Sequence, residues 1–174
     1  MSPGEARRPL WAAFAGLAGV VVVADQLTKA WLVSFLGPGQ STPLVGDLVR
    51  LVYSRNSGGL FGLLPGQATP FAIVSLIVMG LIVAYHARAG RSPYLTLTLG
   101  LLLGGAIGNL IDRVRLGYVL DFVDAGIGTL RWYTFNVADA GVSLAIVLLF
   151  AAALRPSLTG AAAADAAARD GDDG

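Results

Sequence analysis

The 174-residue chain contains no cysteine. That excludes disulfides, thiolate metal ligands, a cysteine nucleophile and any lipid attached through a cysteine of the chain itself. It has one histidine, His86, so zinc sites and histidine acid–base chemistry are poorly supplied. Charge is scarce as well: 13% of residues are Asp, Glu, Lys or Arg, against about 25% in a soluble domain. The net charge of +1 says nothing about partners, and with no Lys/Arg-rich run nucleic acid is set aside as one. Carboxylates remain as the obvious reactive groups, and no metal or cofactor is expected.

What the chain has in abundance is apolar surface, at 55% of residues. Four stretches, residues 10–36, 70–85, 94–111 and 137–154, approach the ~20 residues needed to cross a hydrocarbon core of about 30 Å. The fold class is therefore an all-α membrane protein of four transmembrane helices with a small β-rich region in its loops. At this length one domain is expected, over residues 1–158. The first stretch follows Arg7 and Arg8 like a cleavable leader, but its apolar character resumes after Lys29 with Ala30, Trp31 and Leu32, which makes it a retained helix. Gly100, Gly104 and Gly108 recur at four-residue spacing and predict a close helix contact.

Residues 37–69 and 112–136 alternate in the manner of short strands, as in Leu48-Val49-Arg50-Leu51-Val52-Tyr53, and must leave the membrane on one side. Residues 159–174 repeat Ala, Asp and Gly and predict a disordered tail without assigned function. Lys and Arg divide almost evenly between the two sides. Arg7, Arg8, Arg88, Arg91 and Arg155 flank termini and a short loop, where the positive-inside rule applies best, so both termini are placed in the cytoplasm.

Four crossings then put Asp25, Asp47, Asp112, Asp121, Asp124 and Asp139 on the long-loop side. Asp25 lies about fifteen residues into the first helix, ~22 Å along it, where an ionisable group is costly without a partner and reads as functional. Asp139, three residues after Asn136 at the mouth of the fourth helix, also fits a capping role. Capping explains why an acid is tolerated there, not why Asp25 and Asp121 come to the same level. Asp121 and Asp124 have the alternative of solvated interfacial acids; set beside the motifs that follow, Asp47 reads as an ordinary loop acid and Asp112 and Asp124 as structural or positioning groups. Arg113 has the alternative of a snorkelling cation, and Asn56 and Asn109 of satisfying loose backbone groups. Two carboxylates near one another form a hydrolytic apparatus, because like charges split their titration and leave one acid and one base.

Five motifs occur in order: Asp25-Gln-Leu-Thr-Lys29, Asn56-Ser-Gly58, Gly104-Gly105-Ala-Ile-Gly108-Asn109-Leu-Ile-Asp112-Arg113, Gly117-Tyr-Val-Leu-Asp121-Phe122 and Phe135-Asn136-Val-Ala-Asp139. Together they resemble the lipoprotein signal peptidases, the bacterial type II signal peptidases. The resemblance implies an aspartic endopeptidase that cuts a prolipoprotein just before its diacylglyceryl-modified cysteine, with Asp121 and Asp139 catalytic. It implies that Asn109 and Asn136 orient those carboxylates, that Asp25, Lys29, Asn56 and Arg113 support the site or hold substrate, and that Gly58, Gly104 and Gly108 are backbone and packing positions. It further implies a monomer among the lipids of a bacterial inner membrane, its site at the extracytoplasmic face, inhibited by globomycin-type compounds. Gly59-Leu60 before Phe61, and Tyr133-Thr134 before Phe135, depart from the family's usual pattern and bear on loop shape and substrate fit. Two other classes fit the residues taken singly: a proton-coupled transporter relaying through Asp25 and Asp139, which the absence of an internal repeat disfavours, and a structural or lipid-binding protein whose polar residues only cap helices.

Overall fold

Four helices are long and apolar enough to cross a membrane: α1 (Trp11–Val33), α2 (Ala68–Ala89), α3 (Pro93–Leu116) and α4 (Val137–Leu154). The structure is a computed structural model and describes residues 9–58, 68–89 and 91–159. The expectations concerning Arg7, Arg8, Gly59-Leu60 and residues 160–174 lie outside the described residues.

Hydropathy marks where lipid ends, which is not where a helix ends. Helix α3 continues past Ile111 through Asp112, Arg113 and Arg115, and stops at Gly117, whose φ of 78° is the left-handed cap that glycine adopts without a Cβ penalty. Pro93 at its first turn, behind the Ser92 cap, starts it. Helix α1 stops at Val33, short of Leu36, with Ser34 as its cap. Its buried residues Phe14, Ala18, Val21, Asp25, Lys29 and Leu32 recur at spacings of three and four and form a single stripe. Asp25 and Lys29 thus belong to the packed face, while Val20, Val23, Leu27 and Trp31 point outward.

The glycine-rich α3 is the hub, packing against each of the other helices. A Cβ on Gly104 would sit 2.7 Å from the Ala18 carbonyl oxygen of α1, and one on Gly100 would sit 3.2 Å from that of Phe14. Gly105, on another face, plays the same part toward α4. Helix α2 has α3 as its one extensive helical partner among the described residues and makes no such contact with α4. Its far end is fastened to α1 by His86, which stacks on Phe14 with centroids 4.0 Å apart and meets Trp11 edge-on.

The two long connections meet in one four-stranded antiparallel sheet, in the order β1 (Ser41–Val45), β2 (Val49–Asn56), β3 (Val119–Ile127), β4 (Leu130–Arg131). Leu51, Leu120 and Phe122 pack on Leu32 and Leu36 and seat the sheet on the end of α1. In the β2–β3 register Ser54 faces Asp121.

Candidate active site

Asn136 is both the cap of α4 and the centre of the site. Its Oδ1 accepts the Asp139 backbone N–H at 2.9 Å, and Asp139 Oδ2 accepts the Asn136 backbone N–H at 3.3 Å, a reciprocal capping box. The amide of the same Asn136 donates to Asp121 Oδ1 at 2.7 Å and to Asn109 Oδ1 at 3.1 Å. Asn109 in turn donates to Asp139 Oδ1 at 2.7 Å, and Asn56 donates to Asp121 Oδ2 at 3.0 Å while its Oδ1 accepts the Gly58 N–H. The three amide orientations follow from this bonding: each nitrogen meets oxygen acceptors, and Asn56 and Asn136 Oδ1 each meet a backbone N–H. Every oxygen of the two carboxylates therefore accepts a hydrogen bond, and one residue, Asn136, spans the pair, its side-chain amide on Asp121 and its backbone N–H on Asp139. Capping and chemistry are not alternatives for Asp139, since the capping box itself aims the carboxylate.

Strand pairing holds the loop before α4 in place: Phe135 exchanges backbone hydrogen bonds with Val123 at 2.8 and 3.1 Å, beside Asp121 in β3. Asp121 is only 1% exposed and Asn136 is fully buried. Burial pushes the Asp121 carboxyl up to about 7, the charge of Asp139 acting in the same direction and the donors on Asn56 and Asn136 against it. A carboxyl raised this far is divided between its protonated and ionised forms near neutral pH and protonated below it.

Because α2 and α4 stand apart, the face of α3 between them is open, and a cleft of ≈ 560 Å³ runs there. Phe71, Val74 and Val78 of α2, Leu102 and Ala106 of α3 and Val142 of α4 make its walls apolar, while Asn56, Asn109, Arg113 and Asp139 stand at the polar end. Asp139 reaches the wall of this cleft; Asp121 lies one amide away, bonded to Asn56, which does line it. Arg113 does not snorkel: its guanidinium donates to the Gly58 carbonyl at 3.1 Å and the Asn109 carbonyl at 3.3 Å and lies over Phe71. Thr134 and Tyr133 also line the cleft, and Thr134 meets the Ser54 hydroxyl at 3.3 Å, so this departure from the family pattern borders the site.

On the opposite side of α3, Lys29 Nζ lies 2.7 Å from both Asp25 Oδ2 and Asp112 Oδ2, and all three are buried. Gly108 makes room for this cluster, since a Cβ there would lie 2.9 Å from Asp25 Oδ2 and 3.1 Å from Ala138 Cβ. The remaining acids lie elsewhere. Asp124 pairs with Arg131 at 2.9 Å, and Asp47 is bonded by Arg50 in an exposed turn. Among the described residues no group of three or more potential ligands is arranged to hold a metal ion. His86 sits among aromatic rings with neither ring nitrogen bonded.

Two contributors were missed in the sequence. Gln26 donates to both Asp25 Oδ2 and Asp112 Oδ1 at 3.1 Å; its place beside Asp25 in the first motif was the available signal. A Cβ on Gly105 would come within 2.5 Å of the Ala138 carbonyl oxygen on α4, and it lies outside the Gly100-Gly104-Gly108 spacing that drew attention.

Four apolar helices with a small antiparallel sheet, and an apolar cleft between two of the helices with a carboxylate at its polar end, define a multi-pass membrane protein with the features of an enzyme site. Comparison with known proteins makes this specific. Residues 17–155 match the family model described as signal peptidase (SPase) II, and the chain belongs to that family of peptidases. It is 37% identical over 130 residues to the lipoprotein signal peptidase of Halothermothrix orenii, covering 75% of this chain and 87% of that one. With the lipoprotein signal peptidase of Caulobacter vibrioides it is 44% identical over 146 residues, covering 80% and 84%. A solved structure described as a bacterial membrane enzyme superposes with a TM-score of 0.80 at 28% identity, over 87% of this chain and 93% of the other. Membership of a peptidase family sets aside the transporter and the purely structural protein.

Proposed function

We infer that this chain is a two-aspartate endopeptidase that removes the signal peptide of prolipoproteins, cutting immediately before the diacylglyceryl-modified cysteine. The observation that carries the reading is the single Asn136 side chain that bonds Asp121 and, through its cap, Asp139, at the polar end of an apolar cleft. Asp139, on the cleft wall, takes a proton from water as the water oxygen attacks the scissile carbonyl carbon. Asp121, held protonated by its burial, gives its proton to the departing cysteine nitrogen as the C–N bond breaks. For Asp121 to reach that nitrogen, the Asn56 amide leaves Asp121 Oδ2 as the peptide enters. Arg113, Asn56 and Asn109 hold the substrate backbone or the carboxylates; Asp25, Lys29 and Gly108 support them from behind.

The substrate's signal helix and acyl chains lie in lipid on either side of the bond, and the apolar walls of the cleft between α2 and α4 fit such a substrate. The sheet and the site are placed at the extracytoplasmic face of the bacterial cell membrane, with both termini cytoplasmic, in a monomeric domain over residues 1–158 followed by an unstructured tail. Globomycin-type compounds are expected to compete for the cleft.

The test is a reconstituted cleavage assay with lipidated and unlipidated prolipoprotein side by side. Asp121→Asn and Asp139→Asn should fold with normal helicity and lose about 10³-fold or more of kcat. Cleavage at the wild-type rate by either folded variant would sink the two-aspartate reading; equal rates on both substrates would remove the lipid requirement.

A further inference from the structure

The ion cluster behind the site touches the backbone at two places, and both are one residue ahead of a proposed catalytic aspartate. Asp25 Oδ1 accepts the N–H of Ala138 at 3.0 Å, the residue before Asp139. Asp112 Oδ2 accepts the N–H of Leu120 at 3.0 Å, the residue before Asp121. The two acceptors are tied to one another twice. Lys29 Nζ lies 2.7 Å from each, and Gln26 Nε2 lies 3.1 Å from each, sharing Asp25 Oδ2 with Lys29 and meeting the other oxygen of Asp112, Oδ1. Gln26 Nε2 also faces the Gly108 carbonyl at 3.4 Å, and its Oε1 accepts from Arg115 at 3.5 Å, which aims the amide nitrogen toward the acids.

We propose that Gln26 is a positioning residue for catalysis: with Lys29 it forms a double brace between Asp25 and Asp112 that sets the separation of Asp121 and Asp139 through the backbone preceding each. Lys29 meets one oxygen of each buried carboxylate, and their other partners include the N–H groups of Ala138 and Leu120, so a neutral donor that also bridged the two acids would tighten the link between those backbone segments. Gln26 supplies that bridge. Its bonds run to Asp25, Asp112, Gly108 and Arg115 and not to Asp121 or Asp139, and it is not among the residues that line the cleft, so a loss on substitution comes through geometry and not through substrate contact. A carboxylate pair is sensitive to such a change, since both its reach to one substrate bond and its mutual coupling depend on separation.

The proposal rests on the two-aspartate reading, and the experiment separates them. Purified Gln26→Met, which fills the space without donating, is compared with wild type, Asp121→Asn and Asp139→Asn for thermal melting, kcat, KM and the pH dependence of kcat on the lipidated substrate. The brace predicts that Gln26→Met melts normally and keeps KM within about twofold, while kcat falls about 10- to 100-fold and the alkaline limb of its pH profile shifts. Wild-type kcat and pH limb in a folded Gln26→Met protein would overturn it, as would an activity loss matching only the fraction unfolded. If Gln26→Met does not fold, Gln26→Asn, whose amide is one methylene too short to span the acids, is read in the same way; failure of both to fold would assign Gln26 to stability alone. Retained cleavage in Asp121→Asn or Asp139→Asn would defeat the parent reading whatever Gln26 does.

Discussion

Gly105→Ala should disable the site without touching it. The added methyl would lie 2.5 Å from the Ala138 carbonyl oxygen and 2.6 Å from Val142 Cγ2, both on α4, about 0.9 Å inside the 3.4 Å at which ordinary contact begins. Helix α3 has no room to withdraw, because on its other flank Gly104 already rests against the backbone of α1, where a Cβ would be 2.7 Å from the Ala18 carbonyl oxygen. The first turn of α4 must move instead, and it carries Asp139. A displacement of that size would stretch the 2.7 Å Asn109–Asp139 bond to about 3.6 Å, beyond hydrogen-bonding distance. We expect overpacking to cost about 1–3 kcal/mol of stability and misplacement of the carboxylate to cost about 10²-fold in kcat. Gly16→Ala, where no atom lies within 4 Å of the new methyl, is the control and should behave as wild type. The assay is kcat per folded enzyme in detergent together with thermal melting. A Gly105→Ala protein that cleaves and melts like Gly16→Ala would refute the close-approach argument.

Three further outcomes can be checked. Because the folded state holds the Asp121 proton up to about 7 against a reference of 3.8, it binds that proton more tightly than the unfolded chain does; the stabilisation is full at low pH and lost as pH rises through that window, about 4 kcal/mol in all. Melting should therefore fall between about pH 4 and 7 in wild type and less steeply in Asp121→Asn, and kcat should decline above pH about 7 as the acid is lost. Arg113→Lys keeps the charge but loses the forked reach to the Gly58 and Asn109 carbonyls, 3.1 and 3.3 Å away; cleavage should drop about 10-fold or more, and an unchanged kcat/KM would show that charge alone suffices. With no native cysteine in the chain, Leu130→Cys at the sheet tip should react with an impermeant maleimide on intact cells and Ser157→Cys only after lysis, the reverse pattern overturning the orientation.

Helices and carboxylates were legible in the sequence because both leave local marks. Apolar length announced the crossings, and an acid inside such a stretch, as at Asp25, was anomalous without any structure. The sheet was legible as strands but not as one sheet, since pairing Asn56 with Val119 joins two loops separated by two helices. Gln26 and Gly105 were missed for a related reason. A glutamine beside an aspartate carries no periodic signal, and its two carboxylate partners are joined only when α1 packs on α3. Gly105 falls one residue off a four-residue glycine stripe, so its role emerges only once α4 is seen to lie against a second face of α3.

The division of α3 into two faces accounts for how this chain keeps so many ionisable groups inside apolar surroundings. Toward α1 the packing is close, and each charge there is matched: Lys29 by two carboxylates, those carboxylates by Gln26 and by two backbone N–H groups. Toward the gap between α2 and α4 the packing is open, and the groups are neutral amides around two acids, of which Asp121 keeps its proton to a higher pH than a free carboxyl does. Protonation lets that acid remain buried without a cation, and Arg113, the one cation lining the cleft among the described residues, is spent on the Gly58 and Asn109 carbonyls. A lysine or arginine placed beside Asp121 would lower its proton affinity and leave the pair without an acid. The cations near the site must therefore act from a distance, Lys29 through the backbone on the closed face and Arg113 on carbonyl groups at the open one.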